Sequence, residues 1–172
     1  MGFDVTDKKN IVYLYRMLED EILKTRQYIH FHEDNLDTYS LELYNQLFLS
    51  ASIFERCAIN IIGKKSKMDS WKKHQTIISC HNKEVTIVDM NFTFKPLSQF
   101  GETEILNRKL PWWDSYNGVK HSLTNLQNAS LRNVLFASAS AGILVEKSCL
   151  NVPGGADTSK LFRGILIPTF YE

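Results

Sequence analysis

Between Lys8 and Phe31 the apolar residues Ile11, Leu14, Tyr15, Leu18, Ile22 and Ile29 recur at intervals of three and four along one face, while Arg16, Glu19, Asp20, Lys24 and Arg26 fill the other. Such a period lines one side of an α-helix and cannot line one face of a strand, whose side chains alternate every second residue. The spacing returns in Leu36, Tyr39, Leu43, Leu47, Phe54, Cys57, Ala58 and Ile61, and it stops before Gly63, where a C-terminal cap belongs. Thr6 or Asp7 is the expected N-cap of the first helix. The connection around Glu33 to Asp37 is short, so the two helices are predicted to run antiparallel. A third, shorter helix is expected over 69–78.

The period then changes. Val85, Ile87, Val88, Met90, Phe92 and Phe94 are β-branched, aromatic or otherwise apolar, alternate at Met90, Phe92 and Phe94, and are stopped by Pro96. This reads as one strand or a bent pair over about 84–95. An isolated strand leaves its backbone groups unpaired, so a partner is required, and the segment Gly164 to Ile167 within a C-terminal strand over about 161–170 is the expected one. Val152 to Asp157 reads as a turn-rich linker. Pro111 suits the first turn of a further helix reaching His121. Thr124 and Gln127 read as a capping box, predicting a break near Ser122 and a last helix ending near Cys149. The expected fold class is all-α: an antiparallel bundle of four to five helices, with a small β-strand insertion pairing with the C-terminal strand. At 172 residues and 44 % hydrophobic content the chain suffices for one core, and a single domain over 1–172 is expected.

Twenty basic side chains against 19 acidic ones leave a formal charge of +1, which excludes binding of nucleic acid by bulk electrostatics and leaves room for a local basic site. Cys57, Cys80 and Cys149 follow no metal or redox spacing and predict free thiols in a reducing cytoplasm. No apolar run follows the N-terminal charges, so no signal peptide is expected, and no segment approaches the ~20 apolar residues of a membrane helix. Gly154-Gly155 lacks the strand-to-helix context of a phosphate loop, and no cofactor is expected.

One stretch carries chemistry. Trp112-Trp113-Asp114-Ser115-Tyr116-Asn117-Gly118-Val119-Lys120-His121 sets Trp113, Asn117 and His121 at intervals of four on one helical face, extended by Asn128 and Arg132 if the following helix stays in line. Val119, Leu123 and Leu126 fall on the opposite side. A histidine moves protons near neutral pH and a neighbouring lysine stabilises an oxyanion, a combination suited to metal-independent attack of a ribose 2′-hydroxyl on its own phosphodiester. The same residues also suit a structural role, with the asparagine and histidine closing a helix junction and the tryptophans filling the core.

That string, followed by the small and apolar helix Ala129 to Leu144, resembles the final-helix region of HEPN-like domains (higher eukaryotes and prokaryotes nucleotide-binding), over about 35 residues. The resemblance implies a helical bundle that is often dimeric, and a cytoplasmic role in toxin, CRISPR-associated or phage-defence systems as an RNase or an RNA- or nucleotide-binding module. The family's motif has an arginine, a polar residue that is often asparagine, three further residues and a histidine. On this chain the asparagine is Asn117, which would position the 2′-hydroxyl or phosphate. The histidine is His121, which would act as acid or base. Tyr116 occupies the arginine position, and Leu123 stands where bacterial relatives often carry a second arginine. Tyrosine donates one hydrogen bond and brings no charge, so the motif is degenerate and ribonuclease activity is weak or partner-dependent at most, with Lys120 as substitute charge. Trp113, Tyr116, Asn128 and Arg132 are the implied binding residues. Partners implied are RNA or a nucleotide, a second copy of the chain and a protein from the same operon. The competing reading is a non-catalytic interaction module whose Trp112 and Trp113 anchor a partner protein.

Other clusters are weaker. His30, His32, Glu33 and Asp34 suit a solvated helix end better than a metal site, because histidines two apart on a helix diverge. His74 and His81 beside Cys80 lack a fourth ligand, and no metal is expected. Lys64, Lys65, Lys67, Lys72 and Lys73 form the one basic concentration and read as solvated surface.

Overall fold

The computed structural model describes residues 5–63, 66–149 and 154–170. It is mostly helical with a few short antiparallel strands: α1 (Val5–Thr25), α2 (Leu41–Ile62), α3 (Met68–Trp71), α4 (Gln75–Ile78), β1 (Val85–Ile87), β2 (Phe92–Phe94), α5 (Pro111–His121), α6 (Leu131–Cys149), β3 (Ala156–Thr158), β4 (Phe162–Arg163) and β5 (Leu166–Pro168).

The first two amphipathic stretches are helices, with corrected ends. α1 is already helical at Val5, so Thr6 and Asp7 lie in its first turn instead of capping it, and it ends at Thr25, which leaves Ile29 in the turns beyond. Its buried side is Ile11, Val12, Tyr15, Leu18, Glu19 and Ile22, while Leu14 is exposed. α2 begins at Leu41 instead of Leu36 because Ser40 caps it, the hydroxyl accepting the Leu43 N–H at 3.1 Å. The residues lost to the helix have another task. The carbonyls of Leu36 and Thr38 accept the N–H groups of Arg132 at 2.8 Å and Leu131 at 2.9 Å, so an extended connection supplies the acceptors that the first turn of α6 lacks. At its far end α2 stops where expected, with Gly63 in the left-handed region at φ +79° and its N–H on the Ile59 carbonyl.

α6 is the most enclosed helix. Ala137, Ser138, Ala139, Ser140, Ala141 and Gly142 are all buried, and a Cβ on Gly142 would sit 2.2 Å from the Tyr15 hydroxyl, so only glycine lets α1 approach this closely. Gln46 near the start of α2 reaches Thr25 at the end of α1, which fixes these two helices as antiparallel. Phe48 meets Tyr116 and Phe54 meets Trp112, so α5 runs against the direction of α2 as well. Buried residues from all six helices and from β1, β2, β4 and β5 join in one apolar core.

The expected third helix over 69–78 is two single turns, α3 and α4, separated at Lys72 to His74. The strand region is the bent pair: β1 and β2 are antiparallel, with Val85 opposite Phe94 and Ile87 opposite Phe92. The C-terminal partner differs in register from the expected one. β4 pairs with β1 through Arg163 and Phe162, two residues earlier than Gly164 to Ile167. Gly164 at φ +97° then turns the chain where a Cβ would lie 2.7 Å from the Glu84 carbonyl. The last strand, β5, pairs instead with β3, within the stretch read as linker, whose Val152 and Pro153 lie outside the described residues. Ala-Asp-Thr is exposed and pairs with β5 through its backbone, so no apolar alternation marked it. The break near Ser122 is present, but the cap is Ser122, accepting from the Thr124 N–H, and a 3-10 segment over Leu123–Asn128 intervenes before α6.

Candidate functional site

Pro111 occupies the first turn of α5, as its fixed φ and missing N–H favour. The helix has two contrasting sides. Trp112, Tyr116 and Val119 are buried. Trp112 packs edge-on against Phe54 at 5.1 Å between centroids, Trp113 against Trp71 at 5.1 Å, and Tyr116 against Phe48 at 4.9 Å and Trp113 at 5.2 Å. These rings carry the apolar burial that holds α5 onto α2 and α3. The Trp112 indole N–H is buried without a partner among the described residues. Trp112 therefore cannot anchor another protein, and Trp113, half-buried among rings, is largely spent inside the fold.

The other side is open. Asn117 is half-buried, Lys120 and His121 are exposed, and no side-chain hydrogen bond to any of the three occurs among the described residues. Lys120 and His121 stand in the last turn, where positive charge complements the helix end. The Lys120 ammonium lies 5.4 Å from the Tyr116 ring centroid, a cation–π contact one turn along the helix. The tyrosine thus occupies position 116 as a buried ring with a cation above it. Asn117 and His121, also one turn apart, lie about 100° further around the helix.

Of the residues expected to extend this face, one returns and one departs. Asn128 folds back beside α5: a Cβ on Gly118 would come within 3.1 Å of its amide nitrogen. Arg132 turns away, because the 3-10 segment breaks alignment, and its guanidinium pairs with Asp37 at 3.3 Å. Val119 is buried and Leu126 half-buried, as expected, while the side chain of Leu123 lies outside what is described.

The remaining clusters resolve locally. His30 and His32 lie beyond the end of α1, with ring centroids 6.2 Å apart, and His32 accepts the Asp34 N–H to cap a short turn. No group of three or more His, Cys, Asp or Glu suited to a metal ion occurs among the described residues. His81 meets the Ile78 carbonyl at 2.8 Å and Cys80 lies on the Thr76 carbonyl. Lys67, Lys72 and Lys73 border α3, and Lys64 and Lys65 lie outside the described residues. All three cysteines are free and buried, and burial pushes the Cys57 thiol up to about 12, far from a nucleophile's range.

A second polar cluster escaped the sequence. Glu19 is fully buried on α1 and accepts from the Ser159 hydroxyl and from the Lys160 N–H at 2.9 Å, with Arg16 at 3.5 Å. Ser159 in turn accepts the Phe162 N–H at 3.0 Å. Burial raises the Glu19 carboxyl above its ordinary range, against the opposing pull of Ser159 and Arg16. The cluster clamps the β3–β4 turn to α1, with Glu19 and Ser159 buried at its centre. Glu19 was expected on the polar face of the helix and is instead on the buried one, because partners from the distant β3–β4 turn satisfy its carboxyl there.

Compared with known proteins, the chain matches no family model, no curated protein and no solved structure.

Proposed function

We propose that the chain is a HEPN-like RNA- or nucleotide-binding domain of a bacterial defence or toxin-related system, cytoplasmic and homodimeric, in which α1, α2, α5 and α6 constitute the antiparallel bundle. The observation that carries this reading is the Lys120 ammonium over the Tyr116 ring, beside an exposed His121 and an Asn117 whose side chain has no hydrogen bond among the described residues. It supplies positive charge one turn from the position where the motif has arginine. In this reading Asn117 and Lys120 hold a phosphate or 2′-hydroxyl while His121 is the acid or base. A lysine point charge lacks the two-pronged grip of a guanidinium, so cleavage is weak or requires a partner chain from the same operon. Among the described residues no helix is long and apolar enough to cross a membrane.

The test pairs affinity with cleavage. Parent protein and His121→Ala are titrated into a labelled single-stranded RNA and incubated with it in chelator. Trace cleavage by the parent that His121→Ala abolishes, with Lys120→Ala weakening binding by about tenfold or more, is the expected result, since a charge-assisted contact contributes about 1.5–3 kcal/mol. Equal affinity and equal trace cleavage in parent and His121→Ala would sink it. Light scattering that gives a monomer at micromolar concentration would contradict a site shared between two copies.

The second reading, a non-catalytic interaction module, loses Trp112 as its anchor but draws on another observation. Tyr13, Leu14 and Met17 are exposed along α1, an apolar edge suited to a protein partner.

A further inference from the structure

A cavity of about 730 Å³ opens where the C-terminal end of α1 meets the N-terminal end of α2, and none of its lining residues belongs to α5. Its volume falls within the range of small-molecule pockets. Tyr28 and Tyr39 contribute to its wall, and both are exposed, at 86 % and 53 %, with no aromatic partner among the described residues. Large rings presented to solvent at a concave site are surface that the fold itself does not use.

The polar groups around it are unevenly spent. Two carboxylates, Glu21 and Glu42, face one ammonium, Lys24, which is already held by Glu21 at 2.5 Å. Thr25 gives its hydroxyl proton to the Glu21 carbonyl at 3.2 Å. Behind these residues Gln46, 3 % exposed, commits its amide N–H groups to Thr25 at 2.7 Å, to the Glu21 carbonyl at 3.2 Å and to the Glu42 carboxylate at 3.4 Å. Its carbonyl oxygen accepts nothing among the described residues. These donors are consumed internally, while the carboxylates of Glu21 and Glu42 line the cavity against the single ammonium of Lys24. A ligand that completes this site brings positive charge and N–H donors, and an apolar stem to lie on the tyrosine rings. A phosphate-bearing ligand meets the wrong sign.

We propose that this cavity binds a small organic polycation of the polyamine class, with ammonium groups on Glu42 and Glu21 and the methylene chain against Tyr28 and Tyr39. Carboxylate pairing acts on the alkylammonium heads, and the stem between them lies on the apolar faces of the tyrosine rings. The site stands independently of the α5 reading.

The experiment is calorimetric titration of the full chain with spermidine, set beside an uncharged alkane diol of equal length. Saturable binding of spermidine and none of the diol is expected. Glu42→Gln should weaken it about tenfold and Tyr28→Ala about fivefold, the size of one charge-assisted contact and one methylene stem buried against a ring. Both residues are exposed, and unchanged thermal melts of the two variants would show that the fold is intact. Absence of saturable binding, equal affinity in both variants, or equal binding of the diol overturns the proposal; the last would mark a merely apolar groove.

Discussion

The Glu19 cluster and the open end of α5 both gather functional-looking polar groups, and they differ in how those groups are spent. Glu19 accepts from Ser159 and Lys160 and is flanked by Arg16, all within the fold. Asn117, Lys120 and His121 have no side-chain hydrogen bond among the described residues, where Lys120 rests on the Tyr116 ring. Polar groups satisfied internally hold structure together, because a buried carboxylate without partners is costly. Groups left solvated are free to meet a ligand at little cost to stability. The contrast assigns the cluster around Glu19 to folding, and the open one is where the proposed recognition site lies.

Stability measurements can break that division. The largest loss is expected from Trp112→Ala, which empties the aromatic layer between α2 and α5 and should cost about 3–5 kcal/mol in urea unfolding. A loss under ~1 kcal/mol would mean that this side of α5 is not core. Glu19→Ala comes next, at about 2–3 kcal/mol, since it strands the buried Ser159 hydroxyl and takes the acceptor from the Lys160 N–H. The same residue sets a pH dependence. Its folded pKa is raised, so the native state holds the proton more tightly than the unfolded chain. The stability this confers is complete in acid and is lost as pH rises through the raised value; Glu19→Gln should flatten the profile over that window. Asn117→Ala and His121→Ala should shift stability by no more than ~0.5 kcal/mol. A loss comparable to that of Glu19→Ala in either would move the open cluster to the structural side.

Much of this was legible in the sequence, for identifiable reasons. The long amphipathic helices declared themselves because their apolar period spans several turns, and Gly63 and Pro111 marked ends through backbone chemistry specific to glycine and proline. The start of α2 was not legible, because Leu36 continues the period while its carbonyl is needed by Arg132, a long-range demand. β3 was hidden for the opposite reason, pairing through backbone with no buried side chain. At the candidate site the spacing of Asn117 and His121 placed them together, whereas the departure of Arg132 depended on three-dimensional pairing with Asp37. The burial of Tyr116 under Lys120 likewise needed the neighbours from α2.

The most direct test of the central claim is a two-dimensional NMR titration of the isotope-labelled chain with a short single-stranded RNA. Saturable shifts concentrated at Asn117, Lys120 and His121, with Glu19, Ser159 and Lys160 unmoved, are the predicted result. Shifts absent from the end of α5, or centred on the Glu19 cluster, would contradict the assignment of these two regions.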